Sequence, residues 1–348
     1  MKAFNTILLA LILLIPTIGK AQTGHNWMRQ LPDTTLVASL SIPGAHDAAT
    51  GEGMKGLPGF GKTQRLSLLE LWEEGVRAFD LRPAINDSVL HIYHGTIPTN
   101  ASFEATLSLL SEQLERNPDD FAILLIREES DGESPEEHEL WAPAMKKVID
   151  RLGDKVATFH PHLRVKDVRG KFIILTRTPI PGATQCGTIK NWNHSSQGST
   201  NATIIGNDDY QPVRLQVQDY YAPTSTQKRQ AKMEGIERFL KLANEAPADV
   251  WTLNFTSGYA STWLGFTPFA TTAGYKRNAS TMNQFAYEAL TSANEGADIR
   301  KCGIVLIDFA GVDSTGGSLL HWSAYSVSGK QLVNTIIRLN FTKNTSSF

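Results

Sequence analysis

The sequence predicts an α/β fold, an irregular TIM-like (β/α) barrel in a single domain, and three observations lead there. Short apolar, β-branched runs alternate with segments of helical apolar spacing, ionisable residues come directly after nearly every run, and no linker-like stretch divides the chain. Strands alternating with helices imply a mainly parallel sheet, because a parallel connection needs a crossover long enough to hold a helix. The 348 residues are enough for one large barrel once a short leader is set aside.

The leader comes first. Lys2 precedes an unbroken apolar run from Ile7 to Ile15, followed by Pro16 and small residues as far as Ala21. That order is a secretory signal peptide, and the run is too short for a spanning helix, which needs about 20 apolar residues. Residues 1–21 are therefore expected to direct a secreted or periplasmic protein, with residues 22–348 as the folded unit. Eight runs then read as strands: 40–42, 76–81, 89–93, 121–126, 172–176, 213–217, 250–255 and 304–307. Helical spacing marks residues 66–72, 103–114, 140–152, 236–242 and 282–290. Only a short polar turn around Asn86-Asp87-Ser88 separates the second run from the third, which leaves no room for a crossover helix and argues against a regular eightfold barrel.

Composition narrows the function. With 33 basic against 35 acidic residues and no Lys/Arg run, the chain lacks the footprint of a nucleic-acid partner. Cys186 and Cys302 are the only cysteines and have no CxxC spacing, so a thiolate metal site is excluded and one disulfide is left open.

The residues just past the strand runs carry the chemistry. His46-Asp47 comes after the first run, Arg82 after the second, His94 after the third, Arg127 with Glu129 after the fourth, Arg177 after the fifth, Asp219 with Tyr221 after the sixth and Asp308 after the last. In a β/α barrel these ends converge on one face, where active sites are built. Two histidines, three arginines and several carboxylates suit an anionic phosphodiester. Such a substrate needs a base for the attacking hydroxyl, an acid for the leaving alkoxide and a fixed cation for the phosphoryl oxygens. Histidine can supply the first two near neutral pH when a carboxylate holds its other nitrogen. A lone histidine is more often a packing residue, so the argument rests on His46 and His94 together.

These residues sit in a recognisable pattern: Leu40-Ser41-Ile42-Pro43-Gly44-Ala45-His46-Asp47, then Gly75-Val76-Arg77-Ala78-Phe79-Asp80-Leu81-Arg82, then Ile92-Tyr93-His94-Gly95. Asn117-Pro118, Arg127-Glu128-Glu129, Arg169-Gly170-Lys171 and Val217-Gln218-Asp219 extend it in order. The pattern resembles the bacterial phosphatidylinositol-specific phospholipases C, from about Trp27 to Asp308. The resemblance implies His46 as general base toward the inositol 2-hydroxyl, oriented by Asp308, and His94 as general acid assisted by Asp47. It makes Arg82 the ligand of the phosphoryl oxygens, with Asp80 beneath the catalytic groups, and inositol 1,2-cyclic phosphate the product. Arg127, Arg177 and Asp219 match positions that hold the inositol hydroxyls, and Tyr221 an aromatic packed on the ring. Arg127 stands where the family pattern has lysine, which keeps the charge and changes its geometry. Calcium-using relatives carry an acidic Glu-x-Asp motif where this chain has Asp80-Leu81-Arg82, so no metal and no other cofactor is expected.

The implied partner is phosphatidylinositol or glycosyl-phosphatidylinositol in a membrane, met peripherally by a monomer. Two stretches suit that contact: residues 51–62, with Leu57 and Phe60, and residues 258–275, with Tyr259, Trp263, Phe266 and Phe269. A satellite core beneath a long loop would use the same aromatics. Two other functions remain open on sequence, a metal-dependent glycerophosphodiester phosphodiesterase and a non-catalytic inositol-lipid-binding module.

Overall fold

The computed structural model describes residues 24, 26–56, 59–129, 134–206, 211–259, 261–264, 267–292, 299–316 and 324–341. The leader, Leu57 and Phe266 lie outside the described residues, as do the side chains of Trp263 and Phe269. The chain begins with β1 (Ile42–Ala45), α1 (Leu68–Glu73), β2 (Ala78–Leu81), β3 (Pro83–Asn86), β4 (Val89–His94), β5 (Ile97–Ser102), α2 (Phe103–Arg116) and β6 (Ala122–Ile126). It continues with α3 (Pro135–Leu152), α4 (Val165–Val168), β7 (Phe172–Thr176), β8 (Gly187–Lys190), β9 (Ser199–Ile205), β10 (Val213–Gln218) and α5 (Thr226–Glu245). The last elements are β11 (Trp251–Phe255), β12 (Ser261–Leu264), β13 (Thr267–Ala270), α6 (Thr272–Thr291), β14 (Ile304–Ile307) and α7 (Gly329–Leu339).

Nine strands close a barrel in the order β1-β2-β6-β7-β8-β9-β10-β11-β14 and back to β1. All neighbours run parallel except β9, which is antiparallel to β8 and to β10. β6 and β7 are buried along their whole length, which is why they read as continuous apolar runs rather than alternating ones. Gly44 lets the wall close. A Cβ there would lie 2.5 Å from Leu306 Cδ2 and 3.0 Å from Ala78 Cβ, on the two strands that flank β1.

Helix starts follow side-chain caps. Ser67 with Glu70 and Ser134 with Glu137 form capping boxes on α1 and α3, and Pro135 sits in the first turn of α3. Ser102, Ser225 and Thr271 cap α2, α5 and α6 by accepting from backbone N–H groups three residues on. Near the N-terminal ends of β2 and β6, buried Arg77 pairs with Asp120 at 2.6 Å, donates to the carbonyls of Trp72 and Val76, and stacks 3.8 Å over the Trp72 ring. That ion pair lies where the strands begin, at the other end from His46, which follows the last residue of β1.

The barrel agrees with the expected fold class, and four details differ. The first strand starts at Ile42 rather than residue 40, because Val37–Ser39 forms a 3-10 turn that leads into it. The run at residues 89–93 is not a barrel strand. It forms β4, the centre of a three-stranded antiparallel sheet with β3 and β5. The barrel takes β8 and β9 in its place, and the sequence marked neither as a strand. α5 and α6 also begin about ten residues before the apolar spacing does, and α7 was not anticipated. Among the described residues no helix is long and apolar enough to cross a membrane. Cys186 and Cys302 are both free and buried, so the disulfide left open does not form, and burial pushes each thiol up to about 12.

Candidate active site

Register places the first pair. Ala45 lies opposite Ile307 in the parallel β1–β14 ladder, so the next residues, His46 and Asp308, leave the two strand ends side by side. His46 Nδ1 stands 2.8 Å from Asp308 Oδ1. The other Asp308 oxygen accepts from the backbone N–H of Gly258 at 3.2 Å. Buried Gln64 ties the same two ends together. Its amide nitrogen donates to the carbonyls of His46 at 2.8 Å and Ile307 at 2.7 Å, while its oxygen accepts from Ala310 N. β2 is the other neighbour of β1, with Ala45 opposite Phe79, and it brings Asp80 under the site.

After β1 the backbone turns left-handed at Asp47, with φ 43°, a conformation that aspartate tolerates better than most residues. The turn aims its carboxylate between both histidines. Asp47 Oδ2 is 3.2 Å from His46 Nε2 and 3.3 Å from His94 Nε2. Asp47 Oδ1 pairs with Arg82 Nε at 2.7 Å. Arg82 Nη2 also lies 3.2 Å from Asp80 Oδ2 and 2.9 Å from His46 Nε2, and its Nη1 is 3.6 Å from Glu129 Oε2. His46, Asp47 and Asp80 place ligand atoms within 4.8 Å of one another, close enough to share a cation. Arg82 touches all three, so its guanidinium already occupies the centre of that group.

Charge and burial compete here. Burial opposes a charged His46, but Asp47 and Asp308 outweigh it and raise the imidazole from 6.5 to about 9. The Arg82 contact works the other way, since an N–H pointed at Nε2 can only meet a neutral ring nitrogen. Asp47 at 3.2 Å, Asp80 at 3.9 Å and the Arg82 guanidinium therefore contend for the Nε2 position. Burial likewise opposes a charged Asp47, yet Arg82, His46 and His94 together lower its carboxyl to about 2.

His94 arrives from outside the barrel. The sheet of β3, β4 and β5 is tied to the end of β2 through a Tyr93 N–H to Arg82 carbonyl bond of 3.0 Å, and it holds His94 over the barrel mouth. His94 Nδ1 donates to the carbonyl of Gly61 at 2.6 Å, and Nε2 faces Asp47 and, at 3.2 Å, the Tyr275 hydroxyl. Gly61 needs its glycine, with φ +70° and Met54 Cε 3.0 Å from where a Cβ would be. The two imidazole centroids are 6.4 Å apart.

The far wall of the same cavity, about 300 Å³ in volume, holds the remaining expected residues. Arg127 is clamped by both oxygens of Glu129 at 2.6 Å. The Arg177 guanidinium lies 4.1 Å over the Trp192 ring and 3.1 Å from His194 Nε2. Asp219 Oδ2 is shared by Trp192 Nε1 at 3.1 Å and His194 Nδ1 at 3.0 Å. Burial opposes a charged Asp219, but these donors and Arg177 hold its carboxyl well below the usual range. Tyr221 is half exposed and meets the His194 ring edge-on at 5.2 Å. All ten expected catalytic and substrate-binding residues thus gather around one opening, with Asp47, Asp80 and Asp308 as the layer beneath it. Trp192, His194, Tyr275, Gln64 and the clamping role of Glu129 were missed. Asn193 and His194 follow a strand that the sequence did not mark, and a Trp-x-His in a polar stretch was the one available signal.

Fold and site together define a β/α-barrel enzyme equipped for acid–base chemistry at an anionic centre. Similarity to known proteins narrows the class. No family model matches the chain. In sequence it is 28% identical over 301 residues to the 1-phosphatidylinositol phosphodiesterase of Listeria monocytogenes, across 84% of this chain and 83% of that protein. In fold it is similar to the phosphatidylinositol-specific phospholipase C of Staphylococcus aureus, with a TM-score of 0.68, 21% identity and coverage of 89% of this chain and 97% of that one. The phosphatidylinositol-specific phospholipase C of Listeria monocytogenes gives a TM-score of 0.63 at 25% identity, over 91% and 99% of the two chains. The chain is thus similar, in sequence and along nearly its whole fold, to the bacterial phosphatidylinositol-specific phospholipases C.

Proposed function

We propose that the chain is a phosphatidylinositol-specific phospholipase C that cleaves by attack of the inositol 2-hydroxyl on its own phosphorus. Diacylglycerol leaves and inositol 1,2-cyclic phosphate remains. The observation that carries the assignment of roles is the contrast between the partners of the two histidines. His94 Nδ1 donates to Gly61 O, and its Nε2, between Asp47 Oδ2 and the Tyr275 hydroxyl, lies on the cavity where a leaving oxygen would stand. His46 is held at Nδ1 by Asp308, and its Nε2 lies against both Asp47 Oδ2 and the Arg82 guanidinium, the group suited to bind the phosphoryl oxygens beside it.

The steps follow from that contrast. A phosphodiester entering the cavity draws Arg82 onto its phosphoryl oxygens, where a guanidinium can offer two hydrogen bonds. His46 Nε2, freed of Arg82, takes the proton of the 2-hydroxyl, and Asp308 stabilises the imidazolium that forms. Asp47, between the rings, supports the charge on both. His94 gives its Nε2 proton to the departing glycerol oxygen. Arg127, Arg177, Asp219 and Tyr221 are suited to hold the ring hydroxyls and one face of the inositol. No metal ion is required, because Arg82 fills the place among His46, Asp47 and Asp80 that a cation would otherwise take.

The enzyme is secreted by means of residues 1–21 and works as a monomer, since one chain supplies every group named. It meets phosphatidylinositol, or the same phosphodiester in a glycosyl-phosphatidylinositol, at a membrane surface. One of the staphylococcal structures was determined in connection with membrane binding by that enzyme. The direct test of the two roles is His46→Ala and His94→Ala. Each is expected to lose at least ~100-fold in turnover of phosphatidylinositol with circular dichroism unchanged. Near wild-type activity in either one would remove that histidine from the mechanism.

A further inference from the structure

Beside the active site lies a second cavity of about 420 Å³ that the proposed reaction does not use. Lys62, Arg65 and Lys276 line it together with Met54, Phe60 and Phe309. Three cations meet an apolar wall, and among the described residues that line the cavity there is no carboxylate to pair with them. Arg65 donates to the Ser314 carbonyl at 2.9 Å. Glu70, the acidic group that Arg65 and Lys62 both influence, is engaged by Ser67 in its own helix cap. Burial and then the Lys62 charge lower the Lys276 ammonium, as expected of like charges held together. The first turn of α6 opens on the same cavity and brings the positive end of its helix dipole.

The cavity also sits where the two aromatic stretches join. Thr272 N–H donates to the Gly59 carbonyl at 2.9 Å, Lys62 N–H donates to Thr272 Oγ1 at 3.2 Å, and Phe60 bridges to Thr271. Its lysines flank the partners of the general acid. Gly61, whose carbonyl holds His94 Nδ1, precedes Lys62, and Tyr275, whose hydroxyl meets His94 Nε2, precedes Lys276.

We infer that this cavity binds the phosphate of a second, non-substrate anionic phospholipid, with its acyl side toward Met54 and Phe60, and that occupancy fixes the two segments that position His94. The cations match a phosphate monoanion, and the apolar wall matches the carbon chain attached to it. A lipid occupant rests on the lipase reading above, whereas a phosphate site does not.

The test measures vesicle binding by sedimentation, independently of turnover. Wild type is expected to bind phosphatidylcholine vesicles containing phosphatidylglycerol more tightly than pure phosphatidylcholine. Lys62→Gln/Lys276→Gln should lose most of that gain, about 30-fold at a factor of about five per lysine near an anionic surface. Hydrolysis of soluble inositol cyclic phosphate should be retained. Lys228→Gln/Lys241→Gln, which removes equal charge from α5, should keep the gain. An unchanged gain in the cavity variant, or an equal loss in the α5 variant, overturns the site. Vesicles made equally anionic with a fatty acid should give wild type a smaller gain, and an equal gain overturns phosphate recognition. If inorganic phosphate raises the thermal midpoint of wild type more than that of the cavity variant while phosphatidylglycerol adds nothing, the ligand is free phosphate and the lipid source is overturned.

Discussion

Asp47 is the hinge of the site at the scale of single residues. It is buried, its left-handed turn sets it between two imidazoles, and Arg82 holds its other oxygen. Its charge is a main reason that His46 is raised to about 9, acting with Asp308 against burial. The His46 ring resonances are therefore expected to titrate well above 6.5, and Asp47→Asn should move the midpoint downward. A wild-type midpoint at the ordinary value, or no shift in the variant, would show that Asp47 does not control the ring. The same shift sets the sign for stability. A group whose pKa is raised on folding stabilises fully below 6.5 and loses that contribution as the pH climbs through about 9. Asp47 has the opposite sense, stabilising above the ordinary carboxylate range and losing its contribution as the pH falls toward about 2.

The elements matter because register converts sequence position into contact. His46 and Asp308 meet only if β1 pairs in parallel with β14 one residue before each of them. Gly44 makes that pairing tight, so Gly44→Ala should press against Leu306 and Ala78 and destabilise by about 1–3 kcal/mol in urea unfolding. Wild-type stability in that variant would mean that the wall has slack. Much of this level was legible in the sequence. β6, β7 and β14 read as strands because they are buried and nearly all apolar, β10 because Val213, Leu215 and Val217 alternate with polar residues, and His46, Arg82, Arg127, Arg177, Asp219 and Asp308 stood out by their place just past such runs. β8 and β9 hid because exposed positions interrupt their apolar ones, and Trp192 and His194 hid with them. α5 starts in a polar turn capped by Ser225, with no apolar spacing to announce it. Gln64 was illegible for another reason, since it contacts backbone carbonyls of strand ends far apart in sequence.

At the scale of the whole molecule, the nine-stranded barrel and the β3–β5 sheet bring His46, Arg82, His94, Arg127 and Arg177 to one opening. β12 and β13 pair antiparallel, with Trp263 opposite Pro268 and Thr262 opposite Phe269, directly after β11 and before α6. Aromatic side chains favour the bilayer interface, which suits the peripheral membrane contact proposed above. Trp263→Ala/Phe266→Ala is expected to weaken vesicle binding and activity on vesicles while sparing soluble inositol cyclic phosphate. Equal losses on both substrates would place these residues in the fold instead. The central claim is the reaction itself, an arginine-assisted internal attack by a hydroxyl of the substrate. Phosphorus NMR of phosphatidylinositol turnover in the presence of a chelator tests it most directly. The account requires a five-membered cyclic phosphate as the first product, formed at an undiminished rate. A first product that is an open-chain phosphomonoester, or turnover that stops with chelator and returns with added cation, would contradict it.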